Sequence, residues 1–146
     1  MPNRERIFKW YEQYKTCLFR YALSLLKDPD GAEDVLQEIF LRLLAGKNFP
    51  EPGKEQAYLY RMARNLCFDH LRRQKRLAQE PAQISSEQSQ CAYIELISML
   101  DSREQEVVTL KIVGGLTHRE IAKVLGLTEH AAKKRYERAI QKLREE

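Results

Sequence analysis

The sequence predicts an all-α protein of two small helical domains joined by a short linker, the C-terminal one a helix-turn-helix. Three observations predict this class. Apolar residues recur at steps of three and four along most of the chain, which places them on one face of an α-helix. A Gln-, Ser- and Pro-rich stretch at residues 79–91 interrupts the pattern, as a linker does. Beyond it, two capped helical segments flank a glycine, which is typical of a helix-turn-helix.

Composition agrees with this class. The chain has 146 residues, 43% of them hydrophobic and 32% charged, and a net charge of +4. This length suits two small domains, which we place at residues 1–78 and 92–146. No apolar run approaches the roughly 20 residues that span a bilayer, and the first residues lack the apolar stretch of a secretory signal. We therefore expect a cytoplasmic protein with no membrane insertion.

No pattern of an enzyme or a metal site is present in the sequence. Cys17, Cys67 and Cys91 lack the spacing of metal ligands, and the three histidines are not grouped near them. There is no glycine-rich phosphate loop and no nucleophile elbow. We expect free thiols, no cofactor, no metal and no catalytic residues.

The first domain begins with two helices. Residues 7–25 carry apolar side chains on one face, and the break Asp28-Pro29-Asp30-Gly31 follows, in which either aspartate can cap the next helix. A second helix runs from residue 32 and ends at Gly46. Two prolines and a glycine then predict a loop at residues 47–57.

The third helix, residues 58–76, contains six Lys or Arg residues and one Asp. An apolar face carries Leu59, Met62, Ala63 and Leu66, and Arg61, Asn65, Phe68 and Arg72 fall roughly opposite. Burial of one face explains the apolar residues only. The opposite face is cationic and contains an aromatic ring, a combination that suits unpaired nucleic acid, because bases stack on rings while cations follow the backbone. Phe68 is equally compatible with burial.

The second domain is predicted from helix caps. After a short helix ending near residue 100, Asp101 and Glu104 form the pattern of a capping box, and the helix that follows ends at Gly114-Gly115. Thr117 and Glu120 repeat the box, Gly126 allows a tight turn, and Thr128 caps the last helix.

The last helix carries a second cationic cluster, with six Lys or Arg residues and one Glu at residues 130–144. In a helix-turn-helix this helix enters the major groove of DNA with its N-terminal residues first. His130 and Lys134 could then reach base edges, while Arg135 and Arg138 hold phosphates. An ordinary helical hairpin with a solvated basic face is the alternative.

Three motifs, taken in order, resemble a known family. "GAEDVLQEIFLRLL", "YLYRMARNLCFDHLRRQKR" and "LDSREQEVVTLKIVGGLTHREIAKVLGLTEHAAKKRYERAIQKL" are similar to the sigma factors of bacterial RNA polymerase, above all to the small extracytoplasmic-function (ECF) group. The resemblance implies a first domain that binds the polymerase and the promoter's −10 element, and a second domain that reads the −35 element. It also implies three partners, namely core RNA polymerase, promoter DNA and an anti-sigma protein.

The same resemblance implies the site residues. Polymerase binding is expected at the second helix, which we expect to expose Leu36 or Phe40 beside its polar residues Asp34, Gln37 and Glu38. Binding of the −10 strand is expected at Tyr58, Tyr60, Arg61, Arg64, Asn65, Arg72, Arg73, Lys75 and Arg76. Binding of the −35 element is expected at Thr128, His130, Ala131, Lys133, Lys134, Arg135 and Arg138. Gly31, Ala132 and Lys134 depart from the family's usual residues. Because Lys134 lies where a base contact is plausible, we expect a −35 preference of the chain's own, and the unusual loop "NFPEPGKEQ" leaves the −10 preference open.

Two other functions remain open at this point. The final motif also resembles the DNA-binding domain of many response regulators, although residues 1–76 lack the alternating strands and helices of a receiver domain. An adaptor that binds a protein through the second helix and never opens DNA is the other alternative.

Overall fold

The computed structural model describes residues 2–46, 49–51, 53–77 and 98–145. In these ranges the chain forms six α-helices and a short π-helical segment, and no strand. The first domain contains α1 (Pro2–Leu26), α2 (Pro29–Ala45) and α3 (Glu55–Leu77). The second contains α4 (Ser102–Val108), the π-helical segment Thr109–Val113, α5 (His118–Leu125) and α6 (Glu129–Arg144). The linker and most of the short helix predicted before residue 100 lie outside the described residues, and residues 98–100 form a turn and a bend.

The ends of α2 follow from local chemistry. Asp28, rather than Asp30, is the N-cap, and its carboxylate accepts a hydrogen bond from the backbone N–H of Asp30 at 3.2 Å. Pro29 occupies the start of the helix, where no N–H partner is needed. Gly46 ends the helix at φ 76°, a left-handed conformation that favours glycine. The helix α3 begins at Glu55, so the loop before it is shorter than the sequence predicted.

A tight contact joins α2 to α3 at Gly31. A Cβ atom at this position would lie 2.9 Å from Nε2 of His70, which is closer than real Cβ atoms approach. Gly31 is buried, and the ring of His70 occupies the space that a side chain would need. A side chain at position 31 would therefore require the ring of His70 to move.

The core of the first domain is apolar and aromatic. Leu18, Ile39, Leu43 and Leu59 are among its fully buried side chains. The ring of Tyr11 meets that of Phe40 edge-on, with centroids 5.0 Å apart, a favourable arrangement for aromatic pairs. Burial of these helical faces is the main source of the domain's stability.

The predicted caps of the second domain are confirmed. Reciprocal side-chain and backbone hydrogen bonds join Asp101 to Glu104 and Thr117 to Glu120, which completes both capping boxes. Gly126 adopts φ 72° between α5 and α6, as the tight turn requires. These short-range interactions set the bounds of the helix-turn-helix.

The helix that was expected to run unbroken to Gly114 widens over its last turn. The N–H of Gly114 donates to the carbonyl of Thr109 at 3.0 Å, and Leu116 donates to Leu110 at 3.1 Å. These wider hydrogen bonds bring the fully buried Leu116 into the core. The π-helical segment thus joins α4 to the helix-turn-helix without an extended loop.

The two domains pack against each other through one shared core. Contacts run from α1 to α4 and the π-helical segment, and from α3 to α5. Val107, Leu110 and Ile121 of the second domain belong to the same buried cluster as Leu18 and Leu59 of the first. The sequence predicted two modules, and the tertiary structure adds that the two pack directly against each other.

Candidate nucleic-acid and protein interfaces

The cationic face of α3 is open to solvent along its C-terminal half. Asn65, Arg72 and Lys75 are exposed, and together with Phe68 they line an open cleft of about 400 Å³. Arg72 pairs with Asp69 one turn away. Such exposed ion pairs contribute little to stability, so the guanidinium is available to an incoming anion.

Phe68 is half-buried, whereas the sequence left open an exposed ring that stacks on a base or a buried ring. The guanidinium carbon of Arg64 lies 4.6 Å from the centroid of its ring, in cation–π contact. One face of this ring is therefore already occupied by a cation of the chain itself.

The structure contradicts the expectation that Tyr60 offers its ring to a base. Tyr60 is fully buried, and its ring meets that of Tyr21 at a centroid distance of 5.4 Å. Burial raises the pKa of its phenol. The cause is that α3 has a further buried face, on which Tyr60 packs against Tyr21 of α1 and lies beside Gly114 of the second domain, whereas the sequence pattern predicts only one buried face.

Other candidates on α3 do not share one surface. Arg73 is exposed but lines a cleft with Asp34 and Glu38 of α2, so it lies apart from the cleft that contains Arg72. Tyr58 and Arg61 line a cleft that also includes Lys123 of the second domain. The side chain of Arg76 lies outside the described residues.

Arg64 has a partner in the second domain. Its Nε donates to Oε2 of Glu106 at 2.8 Å, and the hydroxyl of Tyr21 donates to the same oxygen at 2.9 Å. Burial, and then the neighbouring Glu106 carboxylate, raises the pKa of Tyr21 well above its usual value, so the hydroxyl keeps its proton. The Glu106 carboxylate is buried, whereas 28% of the Arg64 side chain remains exposed.

A stripe of polar and cationic side chains runs along α6. Thr128 caps the helix by accepting a hydrogen bond from the N–H of Ala131 at 3.1 Å. Five of the predicted residues line one cleft on this side, namely His130, Ala131, Lys134, Arg135 and Arg138. Most of them are exposed, whereas Ala132 and Ala139 of the same helix are fully buried.

The same cleft contains Arg103, a residue that the sequence analysis missed. It belongs to the first turn of α4 and is exposed. No periodicity in the sequence relates α4 to α6, so only the packing of the two helices reveals that Arg103 extends the stripe.

Lys133 differs from the rest of the predicted set. It lies near His118, whose pKa is lowered by burial first and then by the charges of Lys111 and Lys133. His118 also contacts the ring of Tyr136 at a centroid distance of 5.5 Å. Lys133 is exposed, but it is not among the residues that line the cleft.

The exposed face of α2 is acidic at its start and apolar at its end. Asp34 and Gln37 are exposed, and Glu38 pairs with Arg42 at 3.0 Å. The expectation that Leu36 or Phe40 is exposed is wrong, since both are buried in the first domain's core.

The apolar residues that α2 does expose are Leu41 and Leu44, with 60% and 47% of their surface accessible. They continue the face of Asp34 and Gln37 at steps of four and three. Counting the helical steps from Asp34 could have identified them from the sequence.

The described residues contain no group of three or more His, Cys, Asp or Glu residues that could hold a metal ion. Cys17 and Cys67 are free thiols, and burial followed by the charge of Glu106 raises the pKa of Cys67 to about 12. Over the same ranges, no helix is long and apolar enough to cross a membrane.

Comparisons with known proteins follow the two-domain division. The model of sigma-70 region 2 matches residues 10–77, and that of sigma-70 region 4 matches residues 92–143. The ECF RNA polymerase sigma factor SigM of Bacillus subtilis is 27% identical over 150 residues, covering 92% of this chain and 90% of SigM. The ECF sigma factor BldN of Streptomyces coelicolor is 31% identical over 150 residues, covering 91% of this chain and 57% of BldN.

Solved structures show the same fold. CnrH, in complex with the cytosolic domain of CnrY, matches with a TM-score of 0.73 and 26% identity over 97% of this chain and 86% of that one. The sigma factor RpoE, in complex with the anti-sigma factor NepR from Bartonella quintana, matches with a TM-score of 0.71 and 24% identity over 94% and 95%. Both region models match in the order of the two domains. The chain therefore belongs to the sigma-70 family, in its extracytoplasmic-function group, the RNA polymerase sigma factors that direct promoter recognition.

Proposed function

We propose that this sigma factor binds the −10 strand with α3, reads the −35 element with α6 and joins core polymerase through the exposed face of α2. The observation that carries the proposal is that α3 and α6, in different domains, each present exposed cations beside a cleft. Two cationic surfaces on one chain suit two stretches of one duplex.

On α3, Asn65, Arg72 and Lys75 are the proposed contacts to the −10 strand. Tyr58 and Arg61, in a separate cleft nearer the start of the helix, are proposed as further contacts. Exposed cations bind the phosphates, and Asn65 offers both a donor and an acceptor to a base edge. The ring of Phe68 becomes a stacking surface once Arg64 leaves it. Base–aromatic stacking contributes about 1–3 kcal/mol per base, enough to matter for a strand that must first unpair.

On α6, His130 and Lys134 are the proposed base contacts, and Arg135 and Arg138 the proposed phosphate contacts. The capped start of a helix presents free backbone N–H groups that also suit phosphate, and Thr128 fixes that end. Arg103 adds a further cation at the edge of the stripe, and we assign it a phosphate. Lys133 makes at most a peripheral phosphate contact.

On α2, the proposed polymerase surface is Asp34, Gln37, Leu41 and Leu44. It pairs two polar residues with two exposed leucines, and interfaces of this mixed kind bury the apolar part and hydrate the rim. Leu41 and Leu44 replace the buried Leu36 and Phe40 of the sequence prediction.

Two further parts of the proposal concern partners and chemistry. A sigma factor of this fold, RpoE, has been solved with an anti-sigma factor, and we propose an anti-sigma protein as a partner of this chain also. We also propose that the chain acts without a catalytic group of its own and works where the polymerase works, in the cytoplasm.

Reconstituted transcription tests the proposal. Purified chain added to core polymerase should copurify with it and open a promoter selected from the transcripts that its overexpression induces. Copurification without promoter opening would instead favour an adaptor, and promoter binding without the polymerase would favour an ordinary DNA-binding regulator.

The contribution of α3 has a matched control on the same helix. Arg72→Ala with Lys75→Ala should weaken −10 strand binding and reduce its salt dependence, by a slope of about 0.7 per lost phosphate contact. Arg73→Ala, on the side of α3 that faces α2, should leave that slope unchanged. Equal slopes for the two variants would contradict the proposed strand path.

A further inference from the structure

We propose that the second domain of this chain acts as an intramolecular inhibitor of −10 strand binding, in which Glu106 occupies Arg64 in place of a DNA phosphate. The inference rests on the proposed role of α3 in binding that strand. We call the three side chains Tyr21, Arg64 and Glu106 the interdomain latch.

The geometry of the latch is that of an anion bound between two donors. One carboxylate oxygen of Glu106 accepts from Nε of Arg64 at 2.8 Å and from the Tyr21 hydroxyl at 2.9 Å. Guanidinium groups bind carboxylate and phosphate oxygens in the same way. A strand that approaches α3 therefore meets one of its cations already neutralised.

The latch also controls the ring of Phe68. While Arg64 is held by Glu106, its guanidinium lies over that ring, with the carbon 4.6 Å from the centroid. A base could stack on this face only after the guanidinium moves. In the closed form, therefore, neither the charge of Arg64 nor this face of the Phe68 ring is available to the strand.

Two more contacts close the domains on the same side of α3. Nε2 of Gln56 donates to the carbonyl of Gly114 at 2.6 Å. The hydroxyl of Tyr60 lies so near Gly114 that a Cβ atom there would be 2.9 Å from it. Gln56, Tyr60 and Arg64 are spaced at steps of four, so they lie along one face of α3, and the second domain covers that face.

The neighbouring acid Glu104 has its partner within the second domain, unlike Glu106. Glu104 and Glu106 lie two positions apart on α4, and both side chains are 8% exposed. Glu104 accepts from Lys142 of its own domain at 2.8 Å, whereas Glu106 accepts from the other domain at 2.8 Å. The first pair stabilises the helix-turn-helix, and the second joins the two domains.

The C-terminal half of α3 stays accessible in the closed form. Asn65, Arg72 and Lys75 are exposed there, so a strand can make its first contacts before the latch opens. A phosphate that then replaces Glu106 at Arg64 shifts the equilibrium between the closed and open forms towards the open form, because the strand binds that form better. Binding and opening are therefore coupled.

The test compares Glu106→Gln with Glu104→Gln in the full chain. Small-angle scattering reports the radius of gyration, and fluorescence anisotropy reports the affinity for a labelled single-stranded oligonucleotide of the −10 sequence. Glu106→Gln should increase the radius and strengthen strand binding, by about tenfold if the open form is about 10% populated in the parent chain. Glu104→Gln should change neither quantity.

A second variant and two contrary results complete the test. Gln56→Ala, which removes the interdomain hydrogen bond to the carbonyl of Gly114, should shift both quantities in the same direction and keeps the test valid if Glu106→Gln fails to fold. An unchanged radius in both interdomain variants, with strand binding intact, overturns the latch and leaves the role of α3 standing. A larger radius with no strand binding by any variant overturns the inference together with that role.

Discussion

Arg64 and Arg72 lie two turns apart on one helix, yet their surroundings differ completely. Arg64 donates to a buried carboxylate of the other domain, while Arg72 is exposed beside an open cleft. The same contrast separates Tyr58 from Tyr60, which lie two residues apart and differ in burial. At the scale of single residues, the residue type indicates what a side chain can bind, and the position of neighbouring helices decides whether it can be reached.

Lys134 is the residue whose replacement should change specificity. Lys134→Ala is expected to alter the preference among −35 sequences, because a good base contact contributes about 1–3 kcal/mol of discrimination. Arg138→Ala should instead weaken binding to all sequences alike. Competition binding against a set of −35 duplexes measures both, and uniform weakening by Lys134→Ala would make it a backbone contact.

Leu41 and Leu44 should contribute to polymerase binding through their apolar surface. Replacing both with Gln removes exposed apolar area without disturbing the core, so core polymerase affinity should fall by about tenfold while the melting temperature stays near that of the parent. Replacing both with Met keeps the apolar surface and should retain affinity. Equal affinity for the Gln and Met variants, measured by titration of labelled core enzyme, would exclude the leucines from the interface.

At the scale of elements, the caps decide where each helix begins. The capping boxes of α4 and α5 and the Thr128 cap of α6 are all short-range interactions. The cap of α6 has a functional consequence, since the residues proposed to enter the major groove lie in the first turns after it. A frayed start would misplace them even if the rest of the helix stayed folded.

Thr128→Ala tests this dependence. Loss of the hydrogen bond to the N–H of Ala131 should cost about 1 kcal/mol of unfolding free energy and should weaken −35 duplex binding. Thr128→Ser keeps a hydroxyl that can cap and should restore both. Urea unfolding and duplex binding measure the two effects, and an alanine variant with the serine variant's stability would argue against the cap.

At the scale of the whole molecule, the two domains share one buried cluster and an ion pair whose carboxylate is buried. Two region models match the chain separately, yet neither domain is independent of the other in the closed form. Arg64 of α3 donates to Glu106 of the second domain, so one cation of α3 is paired across the two domains. Closure therefore changes both stability and the surface presented to DNA.

This coupling predicts cooperative unfolding. The parent chain should unfold in a single transition, with coincident curves from circular dichroism and Trp10 fluorescence. Glu106→Gln removes the negative charge that faces Arg64 across the domains, at a cost of about 1–3 kcal/mol, and should separate the curves. Trp10 belongs to the first domain, so its fluorescence follows that domain alone. Two transitions already present in the parent chain would show that the domains are not coupled.

Local patterns in the sequence predict the described helices, their caps, the division into two domains and the two cationic faces. These depend on contacts within a few residues, such as the capping hydrogen bond of Thr128, or on a repeat of three and four that any single helix displays. The burial of Tyr60, Leu36 and Phe40 and the placement of Arg103 beside α6 follow instead from how the helices pack. Those outcomes depend on residues far apart in the chain, because a helix with more than one neighbour buries more than one face.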